Sequence, residues 1–186
     1  MIQIMLIAFV LLCVAAIVEY ASTWKKDKRF PRLVWLMFIV YIGGNLYFTI
    51  FSRTPGSGTL LDLRPFKSYF ELAGKISVDF KNDIGFMELF LDGTNSLDRL
   101  ILNILLYYPL GYLLPILFPK LKPKHVILIG CLCSIATEAT QYLLKMGWCE
   151  TDDVIHNTLG TAIGVWVWLW QSKRLKTVAD QKSDQD

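Results

Sequence analysis

Long apolar stretches alternate with short charged ones along the whole chain. Five of the stretches approach the roughly 20 residues that a helix needs to cross a bilayer: Ile2–Tyr20, Leu33–Phe51, Leu100–Phe118, Val126–Leu144 and Val154–Gln171. No Lys or Arg precedes Lys25, so the first stretch lacks the basic start of a secretory signal and reads as a retained span. The pattern predicts an all-α polytopic membrane helix bundle with five transmembrane helices. It forms one membrane domain over residues 1–176, and a polar, unstructured tail follows over 177–186.

The connections assign the sides. Lys25, Lys26, Lys28, Arg29 and Arg32 lie between spans one and two, Lys120, Lys122 and Lys124 between three and four, and Lys173, Arg174 and Lys176 after five. With five spans these three clusters fall on one side, which the positive-inside rule makes the cytoplasm. The N-terminus is then outside and the C-terminus inside. The remaining connection, Ser52–Asp98, is a long extracytoplasmic loop. Its apolar patches Tyr69–Leu72 and Phe86–Leu91 suit short interfacial helices, and loops of this length often carry function. Three outward-to-inward passes against two inward-to-outward do not suggest an inverted-repeat transporter.

Composition agrees with the membrane assignment. Of the 186 residues, 54% are hydrophobic and 19% charged, a balance too apolar for an ordinary soluble domain. The net charge of +3 sits in topology clusters and gives no footprint for nucleic acid. Cys13, Cys131 and Cys133 fall inside apolar runs and read as small hydrophobes, while Cys149 lies in a polar loop without an obvious disulfide partner. No ligand spacing for a metal is present, and nothing calls for a cofactor.

The polar residues within the apolar stretches carry the candidate chemistry. Ser134, Glu138, Gln141 and Lys145 recur at helical spacing and make one stripe on span four. Asp153, Asn157, Gly160 and Gly164 do so on span five, and Arg99, Asn103 and Tyr107 on span three. Glu138 lies about 10 Å inside the outer end of its helix, and Gln141, Asn157 and Asn103 about 6 Å inside theirs. Asn45 and Thr49 fall in the same half of span two. A carboxylate at the depth of Glu138 is costly unless paired or protonated. Its partners are expected among Arg99, Lys145, Asn103 and Asn157. Each polar group also has a structural role open to it: interhelical bonding for the asparagines, capping of span five for Asp152 and Asp153, and an interfacial anchor for His156. Gly160 and Gly164 form a small-xxx-small pattern that serves close packing.

These residues also carry a resemblance. Asn103-Ile-Leu-Leu-Tyr-Tyr-Pro-Leu-Gly111 resembles the NxLLFxPLG segment of VanZ-like membrane proteins. Glu138-Ala-Thr-Gln141, followed by Glu150-Thr-Asp152-Asp153 and Asn157-Thr-Leu-Gly160 through Gly164, is similar to the ExxQ…DxDDxxxNTxGxxxG signature of that family. Phe48-Thr49 with Arg53, and Leu63-Arg64-Pro65-Phe66, are similar to a further, weaker region. The resemblance spans roughly Gly43 to Trp170. Glu150 stands where Asp is usual, Arg64 where Asn is common, and Gly147 where many members carry Arg. The family is named for an accessory protein that gives low-level resistance to teicoplanin, and many members occur in Gram-positive bacteria.

Two functions follow as expectations. One is a non-enzymatic, multi-pass protein of the cell membrane whose outer polar cluster binds or rearranges an amphiphile, such as a membrane lipid, a lipoglycopeptide or a cell-wall precursor. Asn103, Glu138, Gln141, Asp152, Asp153 and Asn157 would then line the ligand site. The other is a membrane enzyme acting on a lipid or cell-wall intermediate. Glu138 or Asp153 would be its base, and Arg99 or His156 the acid or electrophilic partner.

Overall fold

The computed structural model of the chain describes residues 30–71, 73–74 and 96–183. The expected first span, Ile2–Tyr20, and the patch Phe86–Leu91 lie outside them. Four helices make up most of the structure: α1 (Phe30–Leu46), α2 (Ser96–Leu117), α3 (Pro123–Leu143) and α4 (Thr151–Ser183). A π-helical turn, Tyr47–Phe51, extends α1. Two short strands, β1 (Gly58–Asp62) and β2 (Met146–Glu150), stand beside the helix ends. A further helical turn begins at residue 67 and covers 67–71.

Local chemistry sets several boundaries. Lys122 is extended and Pro123 follows it, so α3 starts where the missing proline N–H is of no consequence. Lys145, at φ 52, and Gly147, at φ 113, turn the chain out of α3 and into β2. β1 and β2 pair in parallel from Gly58 opposite Met146 to Asp62 opposite Glu150. A parallel pair needs a long crossover. Here that crossover includes α2 and α3.

The ends of α1 and α3 and the starts of α2 and α4 therefore meet at one end of the molecule, roofed by the ribbon. Below the roof α2 and α4 run parallel and touch backbone to backbone. A methyl group on Gly160 would collide with the Ile104 carbonyl, one on Gly164 with that of Tyr108, and one on Gly111 with that of Thr161. The glycine spacing read as a packing device has that role. α3 crosses antiparallel to both helices, and Gly130 admits the Thr161 side chain. The core comprises Tyr41, Leu106, Tyr107, Leu110, Leu114, Val126 and Val165, with Val34, Tyr112 and Leu113 beside it. Ile39, Leu132 and Trp166 point outward and are largely exposed, as side chains facing lipid would be.

Among the described residues three segments are long and apolar enough to cross a membrane: Val34–Phe51, Asp98–Leu117 and Pro123–Leu143. They coincide with the expected second, third and fourth spans. The expected fifth differs. α4 is a continuous helix of 33 residues, but His156, Asn157, Thr158, Thr161 and Gln171 dilute its apolar content, and it does not join the three. It also runs on to Ser183 through most of the polar tail, where Val178, Ala179, Gln181 and Lys182 oppose no helix and no Pro or Gly breaks one. The ribbon corrects the expectation of an all-α fold. Its strands are five residues each, too short for a period to show, and their partners lie far apart in sequence.

Candidate functional site

The polar stripes meet beneath the ribbon. Asn157 on α4 donates from Nδ2 to Ser134 Oγ on α3 at 2.8 Å. One turn nearer the ribbon on each helix stand Asp153 and Glu138, close enough that each carboxylate feels the other's charge. Glu138 accepts the Glu150 N–H at 3.1 Å, and the Cys149 thiol donates to it as well. Asp153 accepts the Asn103 amide at 2.7 Å. Gln141, one turn beyond Glu138, donates to the Thr49 carbonyl at 2.9 Å within the π-helical turn. π-helical turns often mark functional positions, because they leave backbone groups outside the regular ladder.

Several partners differ from those expected. Arg99 does not reach Glu138; it pairs with Glu150 at 2.9 Å, because β2 brings that residue over the start of α2. Asn103 serves Asp153, and Asn157 serves Ser134. Asp152 is in the first turn of α4, as a capping carboxylate would be, but its oxygens cap a different helix. They accept the Phe66 N–H at 2.5 Å, the Ser68 N–H at 2.7 Å and the Ser68 hydroxyl. Asp152 thereby fastens the turn at residues 67–71 to α4. His156 is buried rather than interfacial, only 1% exposed, with its ring 5.4 Å from that of Tyr69 on the same turn.

Not every buried group is satisfied by protein. Gln141 Oε1, Asn157 Oδ1 and both ring nitrogens of His156 have no hydrogen-bond partner among the described residues. A buried polar atom left so costs about 1–3 kcal/mol. These four atoms are where a water or a ligand group would gain most. Arg53, half-buried beyond the π-helical turn, lies 3.5 Å from the Met146 carbonyl and near enough to Glu138 and Asp153 to act on both electrostatically.

On the ribbon itself, Asp62 accepts from Arg64 at 2.9 and 2.7 Å and meets Lys67 at 2.8 Å. Those two cations hold its carboxyl well below the usual carboxylate range. Burial, and then the charges of Glu138, Asp153 and Glu150, push the Cys149 thiol up, so it stays protonated at neutral pH and is a poor nucleophile. No three His, Cys, Asp or Glu side chains stand together as a metal would require among the described residues.

Two recesses flank the cluster. A small charged one of about 10 Å³ lies among Asp62, Arg64, Lys67, Arg99, Glu150 and Asp152. A larger groove of about 330 Å³ opens on the side of the bundle between α1, α2 and α3. Glu138 lines neither.

A family model described as VanZ/LLP1 matches residues 32–172. The chain belongs to the VanZ/LLP1 family. No curated protein and no solved structure matches it. The match takes in every helix that meets beneath the ribbon, and the three resemblance segments of this VanZ/LLP1 chain are contact partners. Asn103 of the first bonds Asp153 of the last, and Glu138 of the second bonds the backbone at Glu150.

Sequence reading brought Arg53 forward only through the weaker part of the resemblance to VanZ-like proteins. Its reach across to Met146, 93 residues away, depends on the ribbon and has no local signal. The Asp62 carboxylate and the Cys149 thiol were missed as members of the cluster for the same reason.

Proposed function

We propose that this VanZ/LLP1 protein is a multi-pass component of the bacterial cell membrane that binds an amphiphile at the outer leaflet. Its N-terminus is outside and its C-terminus inside, with five spans, so the ribbon end faces outward. Asn103, Glu138, Gln141, Asp152, Asp153 and Asn157 line or support the binding region. Its effect is to lower susceptibility to teicoplanin-type lipoglycopeptides by holding or rearranging an amphiphile where such a drug would anchor. The observation that carries this reading is the gathering of buried polar groups from three helices under one roof, with four polar atoms lacking a partner among the described residues. Hydrocarbon would penalise such a cluster that served nothing.

The test is expression in a glycopeptide-susceptible Gram-positive host. A rise in the teicoplanin concentration needed to stop growth, with vancomycin unchanged, is expected, because vancomycin lacks the lipid anchor. Unchanged susceptibility to both drugs would remove the resistance reading.

The approach of Glu138 to Asp153 favours a second reading, a membrane enzyme acting on a lipid or cell-wall intermediate. Two carboxylates that feel one another suit an acid–base pair. Arg99 is committed to Glu150, which leaves His156 or Arg53 as the cationic or acid partner.

A further inference from the structure

The groove between α1, α2 and α3 has a volume of about 330 Å³, and its wall is built for hydrocarbon. Ile42, Leu46 and Ile50 form one side, Leu110 the floor, and Ala136 the other side. Its hydroxyls are turned into the protein. Tyr41 donates to the Leu106 carbonyl at 2.9 Å, the Tyr107 and Thr137 hydroxyls meet at 3.3 Å, and Thr140 donates to the Ala136 carbonyl at 2.7 Å. The Asn45 amide donates to Tyr41. A polar guest would find little to bond there, whereas an alkyl chain loses nothing by entering.

The groove lies wholly between segments long and apolar enough to cross a membrane, and its upper end is marked by charge. The Arg53 N–H donates to the carbonyl of Ile50, the last groove residue on its side, at 3.2 Å, so Arg53 follows directly at the ribbon end. Arg64, Lys67 and Arg99 each hold a carboxylate by an ion pair. Among the described residues Arg53 makes no ion pair; its guanidinium has one long contact to a carbonyl, at 3.5 Å, and feels Glu138 and Asp153 only at longer range. A guanidinium offers several donors in a fork suited to phosphate oxygens. We propose that the groove takes one hydrocarbon chain of an anionic membrane phospholipid and that Arg53 binds its phosphate. The inference rests on the amphiphile reading above and supplies the chemical class of the ligand.

Native mass spectrometry of the delipidated full-length protein in detergent tests it, with phosphatidylglycerol and the diacylglycerol of identical chains, which lacks the phosphate, as probes. The wild type is expected to bind phosphatidylglycerol about tenfold more tightly, the difference one charge-assisted contact makes. Arg53→Gln should bring the two lipids level, and Arg53→Lys should keep most of the preference. Ala136→Trp should weaken both lipids alike by filling the groove. If that variant does not fold, Leu46→Trp fills it from the opposite wall with the same expectation. Equal binding of the two lipids by the wild type, or an unchanged preference in Arg53→Gln, overturns the phosphate assignment. Wild-type binding by a folded groove-filling variant overturns the groove assignment. Failure here is separable from failure of the cellular reading. A phosphatidylglycerol preference without a teicoplanin effect leaves this inference standing, and a teicoplanin effect without the preference removes it alone.

Discussion

Asp152 caps a helical turn to which it is not joined: its carboxylate accepts the backbone N–H of Ser68 at 2.7 Å, 84 residues earlier in the chain. The Phe66 N–H and the Ser68 hydroxyl bond to the same carboxylate. Residues 66–68 of the loop are thus tied to the start of α4 by one side chain. Asp152→Ala removes the cap and should cost about 1–2 kcal/mol. Trypsin cleavage after Lys67 should accelerate accordingly, while Asp152→Asn, which keeps one acceptor, should lie between. Cleavage in Asp152→Ala at the wild-type rate would mean the loop is held elsewhere.

The backbone contact between α2 and α4 gives a second expectation. Gly160→Ala and Gly164→Ala each drive a methyl into a carbonyl of α2, and the helices must separate. Overpacking of this kind costs about 1–3 kcal/mol. Gly43→Ala meets nothing within 4 Å and should be neutral or gain up to about 1 kcal/mol from helix propensity. Thermal unfolding in detergent should rank the three in that order, with Gly43→Ala the most stable.

These contacts show where sequence pattern stops being informative. The helices are legible because each apolar run is long, and the stripes through Glu138, Asp153 and Asn103 are legible because helical spacing is local. Which stripe residue meets which is not local. Glu138 and Arg99 looked like a pair by depth alone. The register of β2 instead sets Glu150 beside Arg99 and presents its N–H to Glu138. The strands themselves carried no readable period in five residues, and their pairing joins positions 88 apart. α4 falls short of the other three in apolarity for a related reason: its Val and Trp content suggests a span, while its buried His156, Asn157 and Thr161 face other helices.

Acid should loosen the ribbon through Asp62. Its folded-state carboxyl is held low by Arg64 and Lys67, so the unfolded segment takes up a proton at a higher pH than the folded one. The stabilisation is present above the ordinary carboxylate value, near pH 4, and is lost as pH falls through the folded value. Hydrogen-exchange protection in β1, taken relative to the intrinsic rate at each pH, should fall below about pH 4 in the wild type. In Asp62→Asn it should already be lower at neutral pH and change less on acidification. Because the site is exposed, added salt should shrink the difference.

Cys149 reports on both chemistry and side. Its raised thiol should react with a maleimide more slowly at pH 7 than a free thiol does, and faster as pH rises beyond the ordinary cysteine value. In a variant with Cys13, Cys131 and Cys133 replaced by Ala, a membrane-impermeant maleimide should label Cys149 in intact cells. Labelling that appears only after the cells are broken would place the ribbon on the cytoplasmic side and reverse the proposed orientation.

Glu138 separates the two readings of the site most sharply. Its carboxylate meets the Glu150 N–H at 3.1 Å, so Glu138→Gln keeps an acceptor oxygen there while giving up the charge opposite Asp153. Glu138→Ala leaves that N–H without its partner, at about 1–3 kcal/mol. Gln should therefore leave protein level and thermal stability near wild type, and Ala should lower both. If the protein works by binding, the Gln variant should retain most of its effect on teicoplanin susceptibility, because the roof and the groove remain in place. If it works by acid–base chemistry, the same variant should lose that effect at unchanged protein level, since an amide neither takes nor gives the proton. Combining it with Asp153→Asn decides between a shared pair and a single group. A pair acting as one unit loses no more in the double variant than in either single one.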